Sequence, residues 1–174
     1  MVKLQESAAL ILLISKCWCF ISKANTMKKI KIISVGNLSP EFKELFNSYA
    51  KRISHFYSFS IVEVKEFSEE KNIETKKQKE TKLIIDAIPK NSFVILCSLR
   101  GKNIDSIELS KIIDNQQDIT FIIGGSDGVI ESEIKSNFNW CFSKLTFPHQ
   151  LFRVMLSEQI YRAASILNNK KYHK

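Results

Sequence analysis

Residues 92–99 read SFVILCSL, an unbroken apolar run of strand length. A strand with one wet face alternates polar and apolar residues; a strand covered on both faces does not have to. Unbroken runs of this kind mark parallel sheets, whose crossover helices cover both faces. A second such run, Ile119 to Ile123, follows and is closed by Gly124-Gly125. Between the two, Ser106 to Asp114 places Ile107, Ile112 and Ile113 at helical spacing. Arg100-Gly101-Lys102 reads as the end of the first run.

The same alternation extends in both directions. Upstream, Ile30 to Val35 is a β-branched run ended by Gly36. Ser39-Pro40-Glu41 then opens a helix: serine suits the cap, proline the first turn, and glutamate the positive end of the helix dipole. Phe42, Leu45, Phe46, Tyr49 and Ile53 form its buried face. Phe59 to Val64 alternates as a further strand. Residues 65–82, dense in lysine and glutamate, read as a solvated loop leading into a helix that turns apolar at Leu83, Ile84, Ile85 and Ile88 and stops at Pro89. Downstream, Val129 to Phe138 reads as a helix with Ile130, Ile134 and Phe138 on one stripe, and Trp140 to Phe142 as a short last strand. The stretch LTFPHQLFRVMLSEQIYRA (145–163) supplies the final helix. Alternating strands and helices define an α/β class: a mainly parallel sheet flanked by helices.

The chain has 174 residues, 44% of them hydrophobic and 25% charged, enough for one domain with a real core. This composition excludes a wholly disordered chain. The net charge of +8 favours a polyanionic partner. Four cysteines (17, 19, 97 and 141) form neither a CxxC pair nor a zinc pattern. A reducing cytoplasmic protein without disulfides or metal is expected.

Residues 1–26 do not match the rest. Their apolar runs, Ala8 to Ile14 and Cys17 to Ile21, are split by Lys16 and are too short to span a membrane. No clear cleavage site follows. The natural start is expected at Met27, so that 1–26 is an extension and 27–174 a single domain.

In open parallel sheets, ligands bind beyond the carboxyl ends of the strands. Three places qualify: Arg100-Gly101, the loop Gly124 to Gly128, and the turn Phe142 to Pro148. The glycine loop IIGGSDG (122–128) has neither dinucleotide nor phosphate-loop spacing; it lets a ligand touch backbone, with Asp127 the one polar side chain placed to meet it, or it is an ordinary tight turn. Irregular backbone in the turn FSKLTFPHQ (142–150) can bind the edge of an adenine-like ring, or the turn is a plain loop anchored by Phe142, Leu145 and Phe147. In the last helix the apolar face is wider than one sheet contact requires, so it is either fully buried or meets a second subunit. Glu158 and Arg162 are spaced as a helical ion pair. The tail NNKKYHK (168–174) interleaves bases and rings in a manner that suits RNA, or is a frayed end.

IIGGSDG, SKLTFPHQLFRVMLSEQIYRA and the terminal YHK, in this order, resemble the ribosomal RNA large subunit methyltransferase H family. These are small members of the SPOUT class with a C-terminal trefoil knot. The resemblance covers Met27 to Lys174. It implies an S-adenosylmethionine-dependent homodimer, expected to form through the wide apolar face of the last helix, that methylates N3 of a pseudouridine in helix 69 of 23S rRNA, in the assembled 70S ribosome. Cofactor contacts would fall on Cys97, Gly124, Phe142, Ser143, Lys144, Leu145, Thr146 and Phe147. Cys97 stands where the family has leucine, a change that a backbone contact tolerates. His149 is a candidate base; Arg153 or His173 could stabilise the developing anion. RNA contacts would fall on Arg153, Tyr172, His173 and Lys174. A non-catalytic ribosome-binding factor of the same fold, and a SPOUT methyltransferase acting on tRNA, are the alternatives.

Overall fold

The computed structural model describes residues 27–174; the extension 1–26 lies outside the described residues. The elements are β1 (Lys29–Val35), α1 (Pro40–Ile53), β2 (Ser58–Val64), α2 (Ile73–Ala87), β3 (Phe93–Asn103), α3 (Ser106–Asp114), β4 (Asp118–Ile123), β5 (Phe138–Cys141) and α4 (His149–Leu167). The strands form one sheet in the order β2-β1-β4-β3-β5, and each neighbouring pair is parallel. The two unbroken apolar runs are therefore interior strands. No helix among the described residues is long and apolar enough to cross a membrane.

Successive side chains of each strand serve opposite faces. Ile30, Ile32, Ile95, Ile119 and Phe121 pack with α1, α3 and α4; Ile33, Val35, Val94, Leu96 and Ile122 pack with α2 through Ile84. The apolar face of α4 is covered within the chain: Val154, Leu156, Ile160, Ala163 and Ala164 are all buried, against α1, α3 and the sheet. Of the two readings of that wide face, a fully buried helix accounts for it without a second subunit. The edge position of β5 beside β3 is compatible with the trefoil knot that the resemblance implies.

Several local expectations are corrected. Ser39 precedes α1 but its hydroxyl makes no cap bond; it donates to Glu41, while the Ser39 N–H donates to Gln150 at 2.6 Å and ties α1 to α4. Leu45 and Ile107 are exposed rather than buried. The charged stretch 65–82 is a loop only as far as Asn72, whose side chain caps α2 by accepting from Thr75 N–H. On that helix Lys76, Glu80 and Thr81 are buried, because two neighbouring loops supply partners: Ser126, Asp127 and Ile130 for Lys76 and Thr81, and Phe67 N–H for Glu80. Residues 129–138 are not a helix: a 3₁₀ turn at Glu131–Glu133 is followed by Phe138 pairing with Ile95 as the first residue of β5. Three apolar residues at helical spacing could not separate the two outcomes. Finally, Arg100-Gly101-Lys102 does not end β3. The strand continues to Asn103, and its register against β5 shifts between Cys97 and Lys102, which bows residues 98–101 out of the ladder.

Candidate functional site

The carboxyl ends of β3, β4 and β5 open onto one cavity of about 680 Å³, within the roughly 300–1,000 Å³ usual for small-molecule sites. The bowed segment of β3 forms one wall, the glycine loop a second, the post-β5 turn a third, and His149 and Phe152 of α4 the floor. The three strand-end positions singled out in the sequence thus meet. Cys97, Gly124, Phe142, Ser143, Leu145, Thr146 and Phe147 line the cavity; Lys144 sits on the same turn but is not among the lining residues.

The glycine loop is built for close approach. Gly128 holds φ +83°, and its N–H donates to the Gly125 carbonyl at 3.0 Å to close a tight turn. A Cβ on Gly124 would lie 3.0 Å from Val129 and 3.1 Å from Gly128 backbone, so the bare glycine leaves the cradle open. The post-β5 turn hangs from an aromatic cluster: the Phe142 ring lies 5.3 Å from both Trp140 and Phe152 and 6.0 Å from Phe147. Leu145, expected as an anchor, is exposed instead. Among the described residues, no backbone–backbone hydrogen bond involves residues 143–147; Leu145 N–H donates to Ser143 Oγ at 3.0 Å, and the turn's other amide N–H groups make no ladder bonds that would compete with a ligand. Burial pushes the Cys97 thiol up to about 12, which keeps it protonated and unreactive.

Arg153 lies behind His149. Its guanidinium is fully buried: Nη1 donates to Glu63 at 3.0 Å, and Nη2 donates to the Gly36 carbonyl at 2.9 Å and also to the Val35 carbonyl. In this arrangement it has no surface to offer RNA, a correction to one of the two roles expected of it. It lines a smaller cavity of about 280 Å³, which shares His149, Gly125 and Ser126 with the larger one. Arg153 Nη2 also lies 3.4 Å from His149 Nδ1. Arginine carries only donors, so Nδ1 is the acceptor and the neutral ring bears its hydrogen on Nε2. That Nε2 is buried without a hydrogen-bond partner.

The His149 pKa is lowered, first by burial and then by the Arg153 charge; the Gly124 backbone and Glu66 pull weakly the other way. The ring is therefore neutral at neutral pH, presenting an N–H donor rather than a ready base. A depressed folded-state pKa contributes stability that is complete above the ordinary value of 6.5 and is lost as pH falls through the folded-state value. Melting temperatures measured from pH 8 to pH 5 are expected to fall less for His149→Gln than for the parent.

The tail is docked rather than frayed. Tyr172 Oη donates to Glu158 at 3.0 Å, its ring packs 4.8 Å from Tyr161, and the Arg162 guanidinium lies 4.9 Å over it. Glu158 in turn accepts from Arg162 at 2.6 Å. The Glu158–Arg162 pair thus holds the tail, while His173 and Lys174 stay exposed.

Sequence reading missed Ser98, Leu99, Glu131 and Phe152. Glu131 accepts from Ser98 Oγ at 2.7 Å and pairs with Arg100 at 3.2 Å across the cavity mouth. Only the shifted β3–β5 register brings these together, and no spacing in the sequence signals it.

A parallel sheet whose last strand ends gather a glycine loop and an irregular turn around one cavity is consistent with the SPOUT-class methyltransferase fold that the resemblance implies. A family model described as predicted SPOUT methyltransferase matches residues 27–173. The chain is 64% identical over 150 residues to the ribosomal RNA large subunit methyltransferase H of Mycoplasmopsis agalactiae, which covers 85% of this chain and 100% of that protein. Proteins of the same name from Mycoplasmopsis synoviae and Clostridium botulinum are 57% and 47% identical, each covering 83% of this chain and 99% of the relative. The chain belongs to the ribosomal RNA large subunit methyltransferase H family.

Proposed function

We propose that this protein is an S-adenosylmethionine-dependent methyltransferase of large-subunit ribosomal RNA. Its acceptor is N3 of a pseudouridine in helix 69 of 23S rRNA within the 70S ribosome, and it works in the cytoplasm as a homodimer. The observation that carries this reading is the single cavity formed where the glycine loop and the turn 142–147 meet. The residues present fit the cofactor: a bare glycine cradle at Gly124, unladdered amides at 143–147 for an adenine edge, and aromatic walls.

When bound, the cofactor supplies an electrophilic methyl on a sulfonium. The protein's part is chiefly positioning, since in-line displacement depends on alignment. Gly124 and the turn 142–147 would hold the cofactor. His149 lines this space, and its Nε2–H would be suited to stabilising charge that develops on the acceptor ring. Acting as the base would require the opposite tautomer, and so loss of the Arg153 contact. Arg153 orients His149 and adds a fixed positive charge behind it. The imide proton of N3 would pass to solvent water, and the negative charge left on the ring is what His149 Nε2–H would stabilise.

Tyr172, His173 and Lys174 line neither cavity of their own chain. In the homodimer the tail of one subunit would serve the site of the other, and the net charge of +8 would engage rRNA phosphates. Removing an exposed ring and an exposed cation with His173→Ala/Lys174→Ala is expected to raise the ribosome KM about tenfold while leaving cofactor affinity unchanged. A collapse of cofactor affinity would make the tail purely structural. Calorimetric titration with S-adenosylmethionine tests the reading as a whole. Saturable binding is expected, and none, with or without ribosomes, would favour a non-catalytic binding factor.

A further inference from the structure

Helix α2 presents three polar side chains to the underside of the glycine loop. Lys76 is buried; its Nζ donates to Asp127 Oδ2 at 2.7 Å and to Ser126 Oγ at 3.0 Å, with Glu66 at 3.8 Å. One turn on, Glu80 is fully buried. Its Oε1 accepts from Phe67 N–H at 3.0 Å, and its Oε2, without a partner, lies only 2.5 Å from where a Cβ on Gly125 would stand. The fully buried Thr81 hydroxyl accepts from Ile130 N–H at 3.0 Å. The loop is thus met at residues 125, 126, 127 and 130 by a single helix face.

Burying a lysine and a glutamate on a helix that could have kept them in water is unfavourable unless their partners offset the loss of hydration. For Lys76 those partners, Ser126 and Asp127, lie on the glycine loop, which the Gly125–Gly128 bridge also closes, whereas Glu80 is held by Phe67 N–H on the loop before α2. Asp127 and Ser126 themselves line the larger cavity. We propose that Lys76 is a positioning residue of the cofactor site: by gripping Asp127 and Ser126 it holds the glycine loop in its cavity-lining conformation, and Thr81 anchors the loop's exit. The role at the cofactor rests on the function proposed above; the grip on the loop does not.

The test uses the full chain with Lys76→Met, Lys76→Arg, Asp127→Asn and the Lys76→Met/Asp127→Asn double variant. Losing a charged hydrogen bond should weaken S-adenosylmethionine binding about tenfold in Lys76→Met. Turnover at saturating cofactor should stay close to the parent's, and Lys76→Arg should recover most of the affinity. The double variant should bind no worse than Lys76→Met, since both changes remove the same bond. Amide hydrogen exchange of residues 124–130 in the ligand-free protein should quicken, with β4 unchanged. If Lys76→Met does not fold, Thr81→Val should show the same two effects more weakly. Unchanged affinity with unchanged loop exchange would overturn the proposal, as would a loss of turnover at unchanged affinity. A parent protein that binds no S-adenosylmethionine would defeat the proposed function instead, and loop exchange would still decide whether Lys76 holds the loop.

Discussion

Replacing Arg153 with alanine is expected to destabilise the chain by about 3–5 kcal/mol, the scale of breaking a buried ion pair from one side. The guanidinium is wholly inside the protein, and it holds Glu63 together with the Val35 and Gly36 carbonyls. Glu63 is partly exposed and can turn to water, but the Val35 carbonyl is buried and would lose its donor. The carbonyls belong to the end of β1 and its glycine turn, where Gly36 holds φ +74°. The loss therefore reaches an interior strand of the sheet. At about 2–4 °C per kcal/mol for a domain of this size, the melting temperature should drop by about 6–20 °C. Arg153→Lys should recover only part of this, because a single ammonium cannot span three acceptors with the guanidinium's fork. His149 would also lose the donor that fixes its tautomer. A melting temperature within measurement error of the parent would contradict this account of the residue.

Gly101→Ala should be nearly as damaging, for a different reason. A Cβ there would stand 2.5 Å from the backbone carbon and oxygen of Asn139 and 2.7 Å from the Cys141 nitrogen. None of these is a flexible side-chain tip, so β3 and β5 would have to part. Overpacking of this kind costs about 3 kcal/mol or more. The turn 142–147 hangs from β5, whose Cys141 carbonyl also accepts from Asn103 Nδ2 at 3.0 Å. A shift of about 1 Å in that turn would lower methyl transfer about 100-fold. Gly128→Ala makes the contrast: nothing lies within 4 Å of its added Cβ, and only the positive φ resists it, at about 1–2 kcal/mol. Urea unfolding and single-turnover methylation of both variants would establish the order of effects.

The sheet was legible because β3 and β4 are covered on both faces, and full burial leaves an unbroken apolar run that nothing else of that length explains. The glycine loop and the 142–147 turn were legible through their place after strands. What escaped notice depends on contacts distant in sequence. The buried face of α2 looked solvated because lysine and glutamate normally are, and the partners that receive Lys76 lie 50 and 51 residues away. Arg153 looked available to RNA until its acceptors on β1 and β2 were in view, 90 to 118 residues upstream. Residues 129–138 carried a helical stripe only three residues long, and pairing with β3 outweighed it. Ser98, Arg100 and Glu131 come together only through a register shift.

The most direct measurement is mass spectrometry of 23S rRNA from 70S ribosomes lacking the modification, after incubation with the purified protein and S-adenosylmethionine carrying a labelled methyl group. The proposed function predicts one labelled methyl on N3 of a pseudouridine in helix 69 and none on tRNA treated in parallel. Unlabelled helix 69, or label transferred to tRNA instead, would contradict it.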